Sequence, residues 1–80
     1  MKKYLLNEIE KNIKAMQENL QNASIEERTK IINNEYFLGK NAAFLEILEK
    51  VSFSDFAKTH ERQREIITKA LQFTSKIYSL

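Results

Sequence analysis

The single histidine of the chain lies in the segment His60-Glu61-Arg62-Gln63-Arg64, which begins like the helical zinc-protease motif. That motif needs a second histidine four residues after the first, and Arg64 occupies that position. A di-iron site in a helical bundle needs a glutamate three residues before the histidine, and Ala57 stands there. The chain has no cysteine, which excludes thiolate nucleophiles and zinc-thiolate sites. We therefore expect neither a metal site nor a cofactor.

Two glutamates, Glu46 and Glu49, are three residues apart and would lie on the same side of a helix. Such a pair can share a proton or a cation, but Lys40 and Lys50 are close in sequence, and a solvated charged surface is the more common role of this pattern. The sequence shows no nucleophile beside a base, and one glycine cannot form a phosphate-binding loop. The sequence predicts that the protein is not an enzyme.

Charge and hydropathy limit the classes of partner. The 80 residues include 13 basic and 11 acidic side chains, so the net charge of +2 does not by itself indicate a polyanionic partner. No stretch approaches the roughly 20 apolar residues of a membrane span, and the apolar run after Met1 ends too early for a signal peptide. We expect a cytoplasmic protein with no membrane partner. Its richness in Lys, Asn, Ile and Glu is typical of an AT-rich bacterium, a phage or a mobile element.

The elements that position these residues are predicted to be helices, because the chain contains no proline and only one glycine. We predict one domain over residues 1–80, an all-α antiparallel bundle of three helices near residues 4–22, 24–51 and 55–78. The first helix has apolar residues at alternating spacings of three and four. These residues are Leu6, Ile9, Ile13, Met16, Leu20 and Ala23.

Polar residues mark the expected helix starts. Ser24 and Glu27 have the spacing of a capping box, which predicts that the second helix begins near Ser24. Either Ser52, with Asp55, or Ser54 is expected to cap the third helix. The first half of that helix is almost wholly polar and is expected to face solvent or a partner. Its second half repeats apolar residues at helical spacing: Ile66, Ala70, Phe73, Ile77 and Leu80, beside Ile67, Leu71 and Tyr78.

Residues 36–51 form the central segment, which is apolar on nearly every side when it is drawn as a helix. We therefore predict that its whole circumference is covered by other helices, from the same chain or from a second copy. Gly39 costs a helix about 0.5–1 kcal/mol relative to alanine, and with Ala43 it would form a groove for a closely packed helix. The apolar positions keep helical phase across Gly39, which favours a continuous helix over a turn.

The aromatic content allows two interpretations. The aromatic side chains fill the core of a monomer, or part of the apolar surface is buried against a partner. In the second case the contact residues are those of the central segment: Tyr36, Phe37, Gly39, Ala43, Phe44 and Leu48. The predicted function is then a small non-catalytic protein-binding module, an accessory, modulator or inhibitor, whose partner is another protein or a second copy of the chain.

The alternative function is nucleic-acid binding through the first half of the third helix. The basic and polar residues expected to contact nucleic acid are Lys58, His60, Arg62, Arg64 and Lys69. Glu61 and Glu65 stand among them and weaken a basic surface. The sequence also lacks the short glycine-containing turn of a helix-turn-helix motif. Protein binding is therefore the favoured prediction.

Overall fold

The computed structural model describes the backbone of residues 1–78 and the side chains of residues 1–69, 71 and 72. It contains three α-helices: α1 (Lys2–Gln21), α2 (Glu27–Val51) and α3 (Phe53–Tyr78). Residues 1–78 include no strand, so the predicted all-α class is confirmed. Each helix contacts both of the others, and the molecule measures 43 × 21 × 16 Å.

The core is supplied mainly by α1. Its buried apolar residues are Leu5, Ile9, Ile13, Met16 and Leu20, and they meet Leu45 and Leu48 of α2 and Ile66 of α3. Each such side chain contributes about 1.5–3 kcal/mol when it is fully buried. The predicted positions from Ile9 to Leu20 are confirmed, but Leu5 is buried more deeply than the predicted Leu6, and Ala23 lies exposed beyond the helix. A straight helix has 3.6 residues per turn, so a strict alternation of three and four drifts off the buried side at its ends.

The predicted capping box at Ser24 is wrong. The helix begins at Glu27, and Glu26, at the N-cap position, makes no side-chain capping hydrogen bond. The Ser24 backbone N–H and the Ser24 hydroxyl both donate to Asn22 Oδ1, at 2.9 and 2.6 Å. Asn22 thus closes a local turn that holds the serine, and side chains of this type compete with helix formation in this way.

The junction between α2 and α3 is a single residue, Ser52. Its N–H donates to Leu48 O at 2.8 Å, and its carbonyl oxygen accepts from Phe56 N–H at 3.0 Å. The hydroxyl of Ser52 donates to Asp55 Oδ2 at 2.8 Å, so the predicted pairing of these two residues is present, although α3 begins two residues earlier than predicted. The helix α2 runs without a break through Asn33, Asn34 and Gly39. The apolar phase predicted this continuity at Gly39, whereas the polar pair Asn33-Asn34 had left a kink or short break open.

The prediction that the central segment is covered on every side is wrong for the chain described here. Tyr36, Ile47 and Val51 expose 62%, 46% and 48% of their surface. Both α1 and α3 pack on one side of α2, and two helices cannot surround a third. No described helix lies in the predicted groove, because a Cβ built on Gly39 meets no described atom within 4 Å and Ala43 is exposed.

The helix α3 also differs from its prediction. Thr59 and Gln63 are buried, although they lie in the first half of α3, which was expected to face solvent or a partner. Leu71, in the apolar second half, is exposed. Of the aromatic residues expected in a monomeric core, Phe37, Phe44 and Phe56 are partly buried against it. Tyr36 and Phe53 are exposed. Five apolar residues predicted for the second half of this helix have side chains outside the described residues: Ala70, Phe73, Ile77, Tyr78 and Leu80.

Candidate protein-binding surface

Six small or apolar residues form the solvent side of α2, here called the outer face: Ile32, Tyr36, Gly39, Ala43, Ile47 and Val51. They recur at spacings of four, three, four, four and four residues. With about 100° of rotation per residue, these spacings confine them to roughly a third of the helix circumference. All six are exposed, so an apolar strip follows nearly the whole length of α2, interrupted near its end by Lys50, which is also exposed and lies at the angular position of Ile32.

The opposite side of α2, here called the inner face, contains buried residues of mixed polarity: Lys30, Asn34, Asn41, Leu45 and Leu48. Asn41 is fully buried at its centre and bonds to both other helices. Its Oδ1 accepts a hydrogen bond from Asn12 Nδ2 at 2.8 Å, and its Nδ2 donates to Gln63 Oε1 at 2.9 Å. These bonds form in only one rotational orientation of α2 about its own axis. They therefore also fix the direction in which the outer face points.

A second polar cluster holds the start of α2 against the end of α1. The ammonium group of Lys30 donates to Leu20 O at 3.0 Å, and Lys30 O accepts from Asn19 Nδ2 at 2.9 Å. Asn33 Nδ2 donates to Asn19 Oδ1 at 3.1 Å. The last carbonyls of a helix lack partners within that helix and attract positive charge, so a buried lysine is well placed at the end of α1.

The middle of the outer face is its lowest point. Gly39 has no side chain, Ala43 has one methyl group, and no described atom lies within 4 Å of a Cβ placed on Gly39. Tyr36 and Ile47, one helical turn before and after this pair, project on either side of it. The outer face therefore has a shallow depression between two large side chains, a shape into which another helix can fit closely.

Charged residues lie beside and within the outer face. Lys40 lies on one edge, with its ammonium nitrogen 5.2 Å from the centroid of the Tyr36 ring, a cation–π distance. Glu35 and Glu46 are exposed, and helical geometry puts them about 120–140° around the axis from Lys40, on the other edge, where exposed Arg28 also lies. Lys50, exposed as well, falls within the face itself. The face therefore combines large apolar side chains with charges of both signs, as protein interfaces commonly do.

The six residues predicted as interface candidates separate into two groups. Tyr36, Gly39 and Ala43 belong to the outer face. Phe37 and Phe44 are partly buried against the core, and Leu48 is fully buried. Ile32, Ile47 and Val51 were not among the predicted contact residues. Their spacing of four residues from Tyr36, Ala43 and Ile47 was the available signal.

A groove of about 430 Å³ opens beside the outer face, between the end of α1 and the start of α2. Ile25, Tyr36 and Phe37 form its apolar wall, while Asn19 and Asn33 are among its polar lining residues. The groove is continuous with the outer face because Tyr36 belongs to both. It extends the contact surface toward α1.

The five candidate nucleic-acid contacts are all exposed side chains of α3: Lys58, His60, Arg62, Arg64 and Lys69. The guanidinium group of Arg62 donates to the carboxylate of Glu10 and forms an ion pair with it. The ring of His60 lies 5.4 Å from that of Phe56. Helical rotation separates His60 and Arg64 from the other three by 120° or more. Nucleic-acid binding stays a prediction.

The end of the bundle holds a partly exposed ion pair between Lys2 and Asp55, with a nitrogen–oxygen distance of 3.2 Å. The hydrogen bond from Ser52, the hydrogen bond from Lys2 and its charge hold the pKa of the Asp55 carboxyl below its ordinary value. Phe53, beside this pair, is exposed and its ring lies 5.9 Å from that of Phe56. These contacts link the starts of α1 and α3.

Among the residues that the structure describes, no group of three histidine, aspartate or glutamate side chains is arranged to hold a metal ion. Within the same part of the chain, none of the helices has the length and apolar content needed to cross a membrane. Comparison with protein-family models, curated proteins and solved structures found no match to this chain. The functional interpretation therefore rests on the geometry of the outer face.

Proposed function

We propose that the protein is a small non-catalytic binding protein that docks the outer face of α2 onto a protein partner, as an accessory, modulator or inhibitor. The observation that supports this is the uncovered apolar strip, in which Ile32 and Tyr36 expose 66% and 62% of their surface. Scattered apolar residues are normal on a protein surface, but large apolar side chains aligned along one side of a helix are typical of a contact site.

The proposed architecture around this face is an antiparallel bundle. Three contacts between α1 and α2 support it: Tyr4 lies 6.4 Å from Phe44 between ring centroids, Asn12 bonds to Asn41, and Asn19 bonds to Lys30. The residue numbers rise along α1 as they fall along α2. The single-residue junction at Ser52 is typical of adjacent helices that reverse direction.

The buried polar contacts support the role of α2 as a rigid docking element. Asn41 connects all three helices, and Lys30 fixes the start of α2 to the end of α1. A surface that is held in its binding shape before contact loses less conformational entropy when the partner arrives. The outer face is accordingly a preorganised surface rather than a segment that must fold on binding.

The proposal is tested by site-specific photo-crosslinking in cells of the source organism. A photoreactive amino acid in place of Ile47 is expected to capture a protein. The same amino acid in place of exposed Thr68 on α3 is expected to capture none. A second substitution, Ile32→Glu, puts a charge into the outer face and should abolish the crosslink from position 47 without unfolding the chain. Equal capture from positions 47 and 68 would contradict the proposal.

A further inference from the structure

We infer that the groove between the end of α1 and the start of α2 receives a basic side chain, an arginine or a lysine, of the protein that docks on the outer face. This inference rests on the proposed function of that face. The groove opens onto the outer face at Tyr36, which belongs to both. A helix lying on the outer face can therefore direct one of its side chains into the groove, and the lining residues select the chemistry of that side chain.

Glu18 gives the groove its charge. Among the described residues that line the groove, it alone carries a full charge at neutral pH, and it is exposed. Ala15, Glu18 and Asn22 are three and four residues apart, which places them on the same side of α1. A carboxylate in open water attracts a cation weakly, but the attraction grows when a docked helix excludes water from around the pair.

An amide oxygen adds a hydrogen-bond acceptor beside this carboxylate. Asn33 Nδ2 donates to Asn19 Oδ1 at 3.1 Å, which ties the amide to the residue next to Glu18. No described residue donates to the Oδ1 of Asn33, which stays open to a donor from outside. Guanidinium and ammonium groups carry several N–H donors and no acceptor, so a basic group suits both Glu18 and Asn33.

The apolar wall of the groove suits the rest of such a side chain. Ile25 and Phe37 can contact the methylene groups of an arginine or lysine while its charged end reaches the acceptors. An apolar side chain would instead displace water from Glu18 and Asn33 Oδ1 and give them no donor, which is unfavourable. An acidic side chain would be repelled by Glu18.

The charged residues around the groove differ between its two ends. Exposed Glu26 adds a negative charge near the turn, on the same side as Glu18. Lys30 is close to this end, but it is buried and its ammonium group donates to a carbonyl oxygen of α1 at 3.0 Å. Exposed Lys11 and Lys40 lie one helical turn beyond the lining residues, toward the middle of the bundle. The groove is thus acidic near the turn and basic at its opposite end.

This division of charge predicts a pattern on the docked helix. Asn33 and Lys40 are seven residues apart and lie on the same side of α2. At 1.5 Å per residue they are about 10 Å apart along the axis. A helix that places its basic side chain beside Asn33 therefore meets Lys40 about two turns away, where an acidic side chain fits.

The inference is tested with a displayed library of helical peptides of about 18 residues, or five turns. Peptides are selected on the full chain, and those that bind the Ile32→Glu variant equally well are removed because they do not use the outer face. The remaining peptides are expected to share a basic residue with an acidic residue about two turns away.

Charge changes at Glu18 then test where the basic residue binds. Glu18→Gln should raise the dissociation constant of the selected peptides by about fivefold, and Glu18→Lys should raise it further. A selected peptide whose basic residue is replaced with glutamate should bind the Glu18→Lys variant better than the unchanged peptide does. The matched control Glu61→Gln, at an exposed acidic position of α3, should leave the dissociation constant unchanged.

These results separate the inference from the proposed function. Selected peptides that need the outer face but share no basic residue, or that bind the Glu18→Lys variant as well as the parent, overturn the inference and leave the proposed function in place. A library in which no peptide distinguishes the parent from Ile32→Glu also overturns the inference. The photo-crosslink from position 47 then decides the proposed function independently.

Discussion

The two faces of α2 invert the usual relation between polarity and burial. The inner face buries Lys30, Asn34 and Asn41, while the outer face exposes Ile32 and Tyr36. Most buried polar side chains in folded proteins have hydrogen-bond partners, and Asn41 and Lys30 find theirs on the other helices, whereas the buried Oδ1 of Asn34 has none among the described residues. Exposed apolar side chains have no such requirement, and the contacts of the described residues do not account for their alignment.

This comparison separates stability from function within one helix. The inner face specifies how α2 is rotated against α1 and α3, because hydrogen bonds have directions and apolar contacts do not. The outer face contributes little to folding and is free to be apolar for another reason. Substitutions on the two faces should therefore act on different quantities: the free energy of unfolding on the inner face, and association on the outer face.

The largest expected effect is at Leu48, the fully buried apolar residue of the inner face. Leu48→Ala should lower the free energy of unfolding by about 2–5 kcal/mol, because it removes buried surface and leaves a cavity. Its neighbour Ile47 is the matched control, and Ile47→Ala should change the unfolding free energy by about 0.5 kcal/mol or less. Urea denaturation of dilute samples measures both values. Similar losses at the two positions would refute the assignment of the two faces.

Asn41 should give the next largest effect. Asn41→Ala leaves the buried Nδ2 of Asn12 and Oε1 of Gln63 without their partner, at a cost of about 1–3 kcal/mol. Replacing Asn12, Asn41 and Gln63 together with leucine removes all three polar groups and should recover most of that loss. Urea denaturation is again the measurement, with exposed Glu46→Ala as the control. A neutral Asn41→Ala would mean that the polar contacts do not fix α2.

Substitutions at Gly39 should have opposite effects on the free energy of unfolding and on association through the outer face. Gly39→Ala should raise the free energy of unfolding of dilute protein by about 0.5–1 kcal/mol, since alanine is the better helix former and no described atom obstructs its methyl group. Gly39→Leu should gain stability for the same reason but weaken association through the outer face, because its side chain fills the depression. Thermal unfolding and sedimentation measure the two quantities separately. If the dilute Gly39→Ala variant were less stable than the parent, Gly39 would have to lie in a buried contact.

The smallest expected effect is at the end of the bundle. Ser52→Ala removes the first cause of the lowered Asp55 pKa, so that pKa should rise toward its ordinary value. A carboxyl whose pKa is lowered by folding contributes stability above its unfolded-state pKa and loses it as the pH falls through the folded-state value. The variant should therefore lose part of the stability of the parent at neutral pH and show a weaker response to acid. Carboxyl titration followed by NMR is the measurement, and an unmoved Asp55 would show that Ser52 has no effect on it.

Much of the fold follows from local patterns in the sequence. Three local signals gave predictions that the structure confirms. They are the absence of proline, the apolar repeat from Ile9 to Leu20 and the continuous apolar phase across Gly39. The buried Asn12 and Asn41 could not be foreseen, because their burial depends on one another across 29 residues. The sequence also could not predict which side of α2 stays exposed, since a helix that is apolar on nearly every side does not indicate which side its neighbours cover.

The most direct test of the outer face is a series of amide NMR spectra of the isotopically labelled chain, recorded while the protein that crosslinks to position 47 is added. Binding through this face should shift the resonances of residues 32–51 on the outer side of α2 as the concentration of that protein rises. The amides of Asn12 and Gln63, in the interior, should stay in place. Shifts centred on α1 or α3, with the amides around Gly39 and Ala43 unchanged at every concentration, would contradict the account.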